Sequence, residues 1–285
     1  MQLVEKIIQE KTTMTHPPVF ILSPTPRCGT NFLAQTLLLV STYQIPNYVW
    51  EAHILYNSKL LKQFVIRASE HWDKEVCINE EYQKHLFRRL GDGILCFLGE
   101  HIDEGKQILC KTPRANNIEN FTLLFPQAKL LLLIRDGRDV VASAVKTWPN
   151  RFLAFERSAF TWARAARLVR DFMEGENQGL RGISWELVRY EDLVQQSLVA
   201  IRKVLHFLNI DEDEFDFKQM LNLSLRGSSV HRGGMDTVHW EPVEKPRNFK
   251  PIGRWKNWNL WQKMVFKVIA GRELICSGYT DSYNW

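Results

Sequence analysis

The chain has 285 residues, 45% hydrophobic and 24% charged, with a formal net charge of +5, which excludes a fibrous or low-complexity chain and leaves room for a sizeable α/β core. The 37 Lys and Arg are dispersed among 32 Asp and Glu with no basic tract of five or more, arguing against nucleic acid as a partner. No apolar stretch approaches the roughly 18 residues of a membrane-spanning helix.

Along the chain, residues 1–17 read as an amphipathic helix without the apolar core of a secretory signal, so a cytoplasmic setting is expected. The five cysteines are odd in number and widely spaced, with no CxxC pair, which suggests neither a disulfide framework nor a zinc site. "PPVFILSP" closes a short apolar run with Pro and predicts a buried strand, followed by a helix over 30–42. "KQILCKTP" (106–113), "KLLLLIRD" (129–136) and "GISWELVRY" (182–190) predict three further strands. Helical patterns lie between them, notably in "GRDVVASAVKTW", over 156–175 and over 191–208. Alternating strands and helices predict a single α/β domain with a central parallel sheet flanked by helices. The core is expected over 18–210, a flap and loops over 211–258, and a C-terminal helix and tail over 259–285.

The chemistry concentrates at two strand ends, which a parallel sheet places on one rim. In "SPTPRCGTNF" the strand turns at Gly29 into a helix, presenting several backbone N–H groups at the helix N-terminus to an anion. Arg27 adds a forked cation suited to phosphate or sulfate. The GxxxxGK[ST] pattern is absent, which argues against ordinary nucleotide hydrolysis. In "LIRDGRDVVAS", Arg135 emerges from an apolar strand and Ser143 follows eight residues later. Two anion sites on one rim predict a ligand with two separated anionic groups on a nucleoside.

Taken in order, "PRCGT", "RDGRDVVAS" and "RYEDL" resemble the sulfotransferases, over roughly residues 18–260. The resemblance implies the P-loop-like sulfotransferase fold and 3′-phosphoadenosine 5′-phosphosulfate (PAPS) as co-substrate, with no metal. It implies that Cys28, Gly29 and Thr30 hold the 5′-phosphate and that Arg27 eases the leaving phosphate away. Asn31 stands where a Thr is common, Phe32 replaces an adenine-stacking Trp, and Cys28 replaces a Ser. Arg135 and Ser143 match the pair that binds the 3′-phosphate, and Tyr190 the residue near the adenine. Lys111 in "CKTPR" resembles a Lys of tyrosylprotein members that supports the transferring sulfuryl group. "PRNFKPIGRWKNW" resembles the segment closing over the donor, with Arg254 its foremost cation and Arg247 and Lys250 secondary. "RGSS" (226–229) resembles a stretch of bacterial members and has no assigned role.

The general base stays open among several residues. The His of a K-T-H stretch is absent, because Pro113 follows Lys111 and Thr112. Glu51 in "NYVWEAHIL" is the first choice by resemblance to tyrosylprotein and carbohydrate members. His53 is the second, and Glu100 with His101 the third. The acceptor is expected to be a hydroxyl on a metabolite, lipid, acyl chain, carbohydrate or tyrosine. The rival readings are a small-molecule kinase, against which the missing Lys speaks, and a non-catalytic nucleotide-binding module.

Overall fold

Period-two alternation decides how the core of this protein divides. In strand β1 (Val19–Leu22) and strand β4 (Lys129–Ile134), alternate side chains enter opposite hydrophobic clusters. Val19, Ile21, Leu131 and Leu133 meet helix α1 (Thr30–Leu37) and helix α8 (Ser197–Leu208) on one face. Phe20, Leu22, Leu130 and Leu132 meet helices α3 (Glu80–Gly99), α4 (Phe121–Leu124) and α6 (Ala154–Asn177) on the other. Both faces are covered, so the strands read as continuous apolar runs. The computed structural model describes residues 16–70, 72, 80–148, 153–177, 185–224, 244 and 249–285.

The five strands are all parallel, in the order β2-β3-β1-β4-β5. β3 is Gln107–Thr112 and β5 is Trp185–Arg189. β2 is only Tyr43–Gln44, an edge pair beside Gln107 and Ile108 that has too few residues to show a periodicity. β1 therefore lies in the middle of the sheet, with Ile21 beside Lys111 on one side and Leu131 on the other. The turn after β1 opens between its two neighbours' carboxyl ends, where ligands of such sheets collect.

Three expected elements differ in extent. The helix after β1 stops at Leu37 rather than residue 42, because the chain must turn back into β2. The helix expected over 191–208 is two, α7 (Tyr190–Gln195) and α8, broken at Gln196 by ψ 43°. Tyr190 opens α7 instead of closing the strand. Helix α2 (Ile54–Ser69) fills the gap before α3. A third cluster packs helix α5 (Gly137–Thr147) and α6 against helix α10 (Leu260–Cys276) through Val141, Trp162 and Phe266. Residues 1–15 of the helix expected over 1–17, the "RGSS" stretch and Arg247 lie outside the described residues, while His16 and Pro17 are not helical. Among those described, no helix is long and apolar enough to cross a membrane.

Candidate active site

Gly29 caps α1 with φ 102°, a left-handed conformation that only glycine adopts cheaply. The first bonds of the helix run from Phe32 and Leu33 to the Gly29 carbonyl, so the amides before them have no acceptor within the helix. A Cβ on Gly29 would lie 2.4 Å from the Tyr190 ring. Gly29→Ala is thus strained by its φ and by overlap, and is expected to cost about 1–3 kcal/mol of stability in denaturant unfolding. A variant as stable as the parent would show that Tyr190 moves aside freely.

Arg27 also has positive φ, 79°. That conformation turns its carbonyl toward Arg135 Nη1, which donates at 2.6 Å. Arg27 Nε donates to Ser143 Oγ at 3.1 Å, so the two anion motifs touch directly. Arg135 is 4% exposed and lies 4.4 Å above the Tyr190 ring. Its Nη2 donates to the Pro251 carbonyl at 2.6 Å, while its Nε has no protein partner. Two of its three nitrogens therefore tie the loop to the 249–257 segment, and the third is buried without a hydrogen-bond partner.

That segment is fixed from below. Asp139 accepts from the Gly253 N–H at 2.7 Å and the Trp255 N–H at 3.3 Å, although burial pushes its carboxyl above the usual range. Asp136 caps α5 through the Arg138 amide, and the Arg138 guanidinium stacks on Trp255 at 4.0 Å and Trp285 at 4.8 Å. Glu191 accepts from the Asp136 amide at 3.0 Å and so ties α7 to the same rim. The sequence "RDGRDV" contained Asp136 and Asp139, but nothing local marked Asp139 as a strut for a segment more than 110 residues away. Lys250 offers its carbonyl to Arg254 Nε and is not one of the described residues that line the cleft.

Arg27, Arg135 and Arg254 line one cleft, and among the described residues no carboxylate lines it. Burial, then the neighbouring Arg135 and Arg254, pull Arg27 down to about 10. Burial and Arg135 lower Arg254 as well. Cations crowded in this way, two of them lowered by burial and by a neighbouring arginine, make a site that gains from an anion. Gly29, Thr30, Asn31, Phe32, Ser143 and Tyr190 share the cleft, whereas Cys28 lies beneath the loop, 1% exposed, with its thiol pushed up by burial. The far wall is apolar: Leu193, Val194, Met220, Leu221, Leu223 and Phe249. Residues 217–221 form helix α9 (Phe217–Leu221), which carries no motif and was not singled out in the sequence.

A second cluster stands one strand over. Lys111, from β3, is 1% exposed, yet its Nζ reaches Glu51 Oε1 at 3.2 Å and the Trp50 ring at 4.6 Å. Burial lowers its affinity for the proton, and Glu51 partly restores it. The other Glu51 oxygen lies 3.2 Å from His53 Nε2. His53 caps α2 at φ 45°, its amide donating to Thr112 Oγ1 at 3.2 Å. Trp50 thus packs against the lysine. Glu100 and His101 are not part of this cluster: the His101 carbonyl accepts the Asn47 N–H and its ring meets Phe97 edge-on.

Fold and site together define a parallel α/β protein of the phosphate-loop kind, with an arginine-lined cleft at its carboxyl rim. The family model described as "Sulfotransferase family" matches residues 17–214, and the chain belongs to that family. It is 30% identical to protein-tyrosine sulfotransferase A of Caenorhabditis elegans over 161 residues, 51% of this chain but only 39% of that protein's length. Its fold matches the sulfotransferase domain from the curacin biosynthetic pathway (TM-score 0.54, 20% identity, covering 91% of this chain and 98% of the domain). It matches that of the Synechococcus PCC 7002 olefin synthase similarly (TM-score 0.53, 20% identity, 90% and 94%).

Proposed function

We propose that the protein transfers a sulfuryl group from PAPS to an acceptor hydroxyl by in-line displacement. The observation that carries this reading is the cleft lined by Arg27, Arg135 and Arg254 and walled by apolar side chains. Charge for two anionic groups and an apolar wall for a base suit a doubly phosphorylated nucleoside. The unpartnered Nε of buried Arg135 is a donor that such a ligand satisfies.

In this reading the Thr30 and Asn31 amides and the Thr30 hydroxyl hold the 5′-phosphate, with Cys28 contributing only its backbone. Arg135 Nε and Ser143 hold the 3′-phosphate, and Arg254 closes over it. Phe32 and Tyr190 supply ring surface near the base. PAPS, when bound, supplies the activated sulfuryl group. Arg27 offsets charge on the leaving phosphate, and Lys111 offsets charge on the sulfuryl oxygens, in a reaction where placement and positive charge matter most. Glu51 takes the proton from the acceptor hydroxyl. A second reading, favoured by the 3.2 Å Glu51–His53 contact, makes His53 the base and Glu51 its orienting group. The name of the worm relative makes a tyrosine hydroxyl one acceptor to try.

Thermal unfolding with ligands tests the donor. Adenosine 3′,5′-bisphosphate at about 100 times its dissociation constant is expected to stabilise the protein by about 2.7 kcal/mol. A shift no larger than that from AMP or ATP at equal concentration would overturn the reading and favour a kinase or a general nucleotide binder.

A further inference from the structure

Along α10, Leu260, Met264 and Val268 recur every four residues and are 80%, 63% and 87% exposed; Trp261 is 53% exposed. At about 100° per residue, the four fall within an arc of about 100° on the helix. Gly271 falls within the same arc, and the ring of half-exposed Tyr283 lies where a Cβ on it would be, 2.5 Å away. The opposite side of α10 is already buried through Phe266, Ala270 and Leu274. The helix is thus apolar on its solvent face as well as its core face, an arrangement that marks a second contact.

Charge identifies the occupant. Lys263 and Lys267 flank one side of the stripe and Arg272 the other. The only acid in α10, Glu273, is buried and bonded to Arg167 and Arg170; Asp281 is the single acid of the tail beyond it. A second copy packed on this face would oppose cations with cations. A planar surface both apolar and anionic satisfies stripe and cations together. Trp261 and Tyr283 stand at the two ends of the stripe, and such rings settle at the boundary of acyl chains and headgroups.

We infer that α10 is a peripheral docking face for an anionic lipid bilayer, its apolar stripe entering the headgroup layer while Lys263, Lys267 and Arg272 engage the lipid anions. This goes beyond sulfuryl transfer and does not rest on it. None of the stripe residues lines the arginine cleft.

Flotation with vesicles tests it, comparing pure phosphatidylcholine with mixtures containing about 30% phosphatidylserine. The protein is expected to favour the anionic vesicles roughly tenfold or more at about 0.1 M salt, and to lose that preference at about 0.5 M. Met264→Glu/Val268→Glu, at exposed positions, should abolish binding without changing the melting temperature or bisphosphate affinity. Lys263→Gln/Arg272→Gln should weaken only the preference for phosphatidylserine. Equal recovery with both vesicle types, no flotation, or a double-Glu variant that floats like the parent would overturn the proposal. A concentration-dependent dimer in light scattering that Met264→Glu dissociates would assign the face to a second copy instead. Binding to polyglutamate without binding to vesicles would assign it to an acidic protein.

Discussion

Glu51→Gln is expected to lower turnover about 10²- to 10⁴-fold while bisphosphate affinity stays nearly unchanged. The amide keeps the shape of the side chain but cannot accept the acceptor's proton. It also removes the charge that sustains Lys111, whose proton affinity burial has already lowered. Lys111 must be protonated to act as a cation, so its contribution fades as pH rises through its lowered pKa. Without Glu51 that pKa falls further, and the residual activity should lose its alkaline limb at lower pH than the parent's. Steady-state kinetics across pH checks both effects. Normal turnover in Glu51→Gln would end its assignment as base. A loss confined to the acidic limb, reproduced by His53→Asn, would transfer the proton to His53 with Glu51 orienting it.

Arg135→Lys should weaken bisphosphate binding about 10- to 100-fold, the worth of one or two charge-assisted hydrogen bonds. The charge is kept, but a single ammonium cannot donate to the Arg27 and Pro251 carbonyls and to a ligand in the directions the planar fork serves. Both carbonyls then lose a buried donor, and the 249–257 segment loses one of its ties. Asp139 still holds Gly253 and Trp255, so the chain should fold. Calorimetry gives the affinity, and limited proteolysis near residue 250 reports the loosened segment. Unchanged affinity would mean that Arg135 serves only the architecture, and the second phosphate would need another partner.

The same geometry bears on how the family's motifs work in this chain. Arg27 and Ser143 belong to different motifs, yet they are hydrogen-bonded to each other, so a ligand that takes either must reorganise both. Three non-glycine residues with positive φ, Arg27, Tyr48 and His53, lie in the two loops that frame the rim. Backbone strain of this kind, on the order of 1–3 kcal/mol each, collects at functional sites because surrounding contacts hold it.

By itself the sequence determined the elements and the rim. Apolar runs four to six residues long, each ending at Pro or charge, could only be buried strands, and their alternation with helical stretches required a parallel sheet. Gly29 after Arg27, and Arg135 at the end of "LLLLI", stand at carboxyl ends of parallel strands and so share one rim. These are local signals, set by side-chain period and backbone conformation over a few residues. Tertiary structure alone decided the rest. The break at Gln196, the two-residue β2 and the use of α9 as a cleft wall follow from packing between distant segments. So do the Asp139 ties to Gly253 and Trp255, the Arg135 bond to Pro251, and the meeting of Glu51 with Lys111 across 60 residues. Such contacts leave no periodicity in the chain, because their partners are chosen by where the sheet brings them and not by where they stand in sequence.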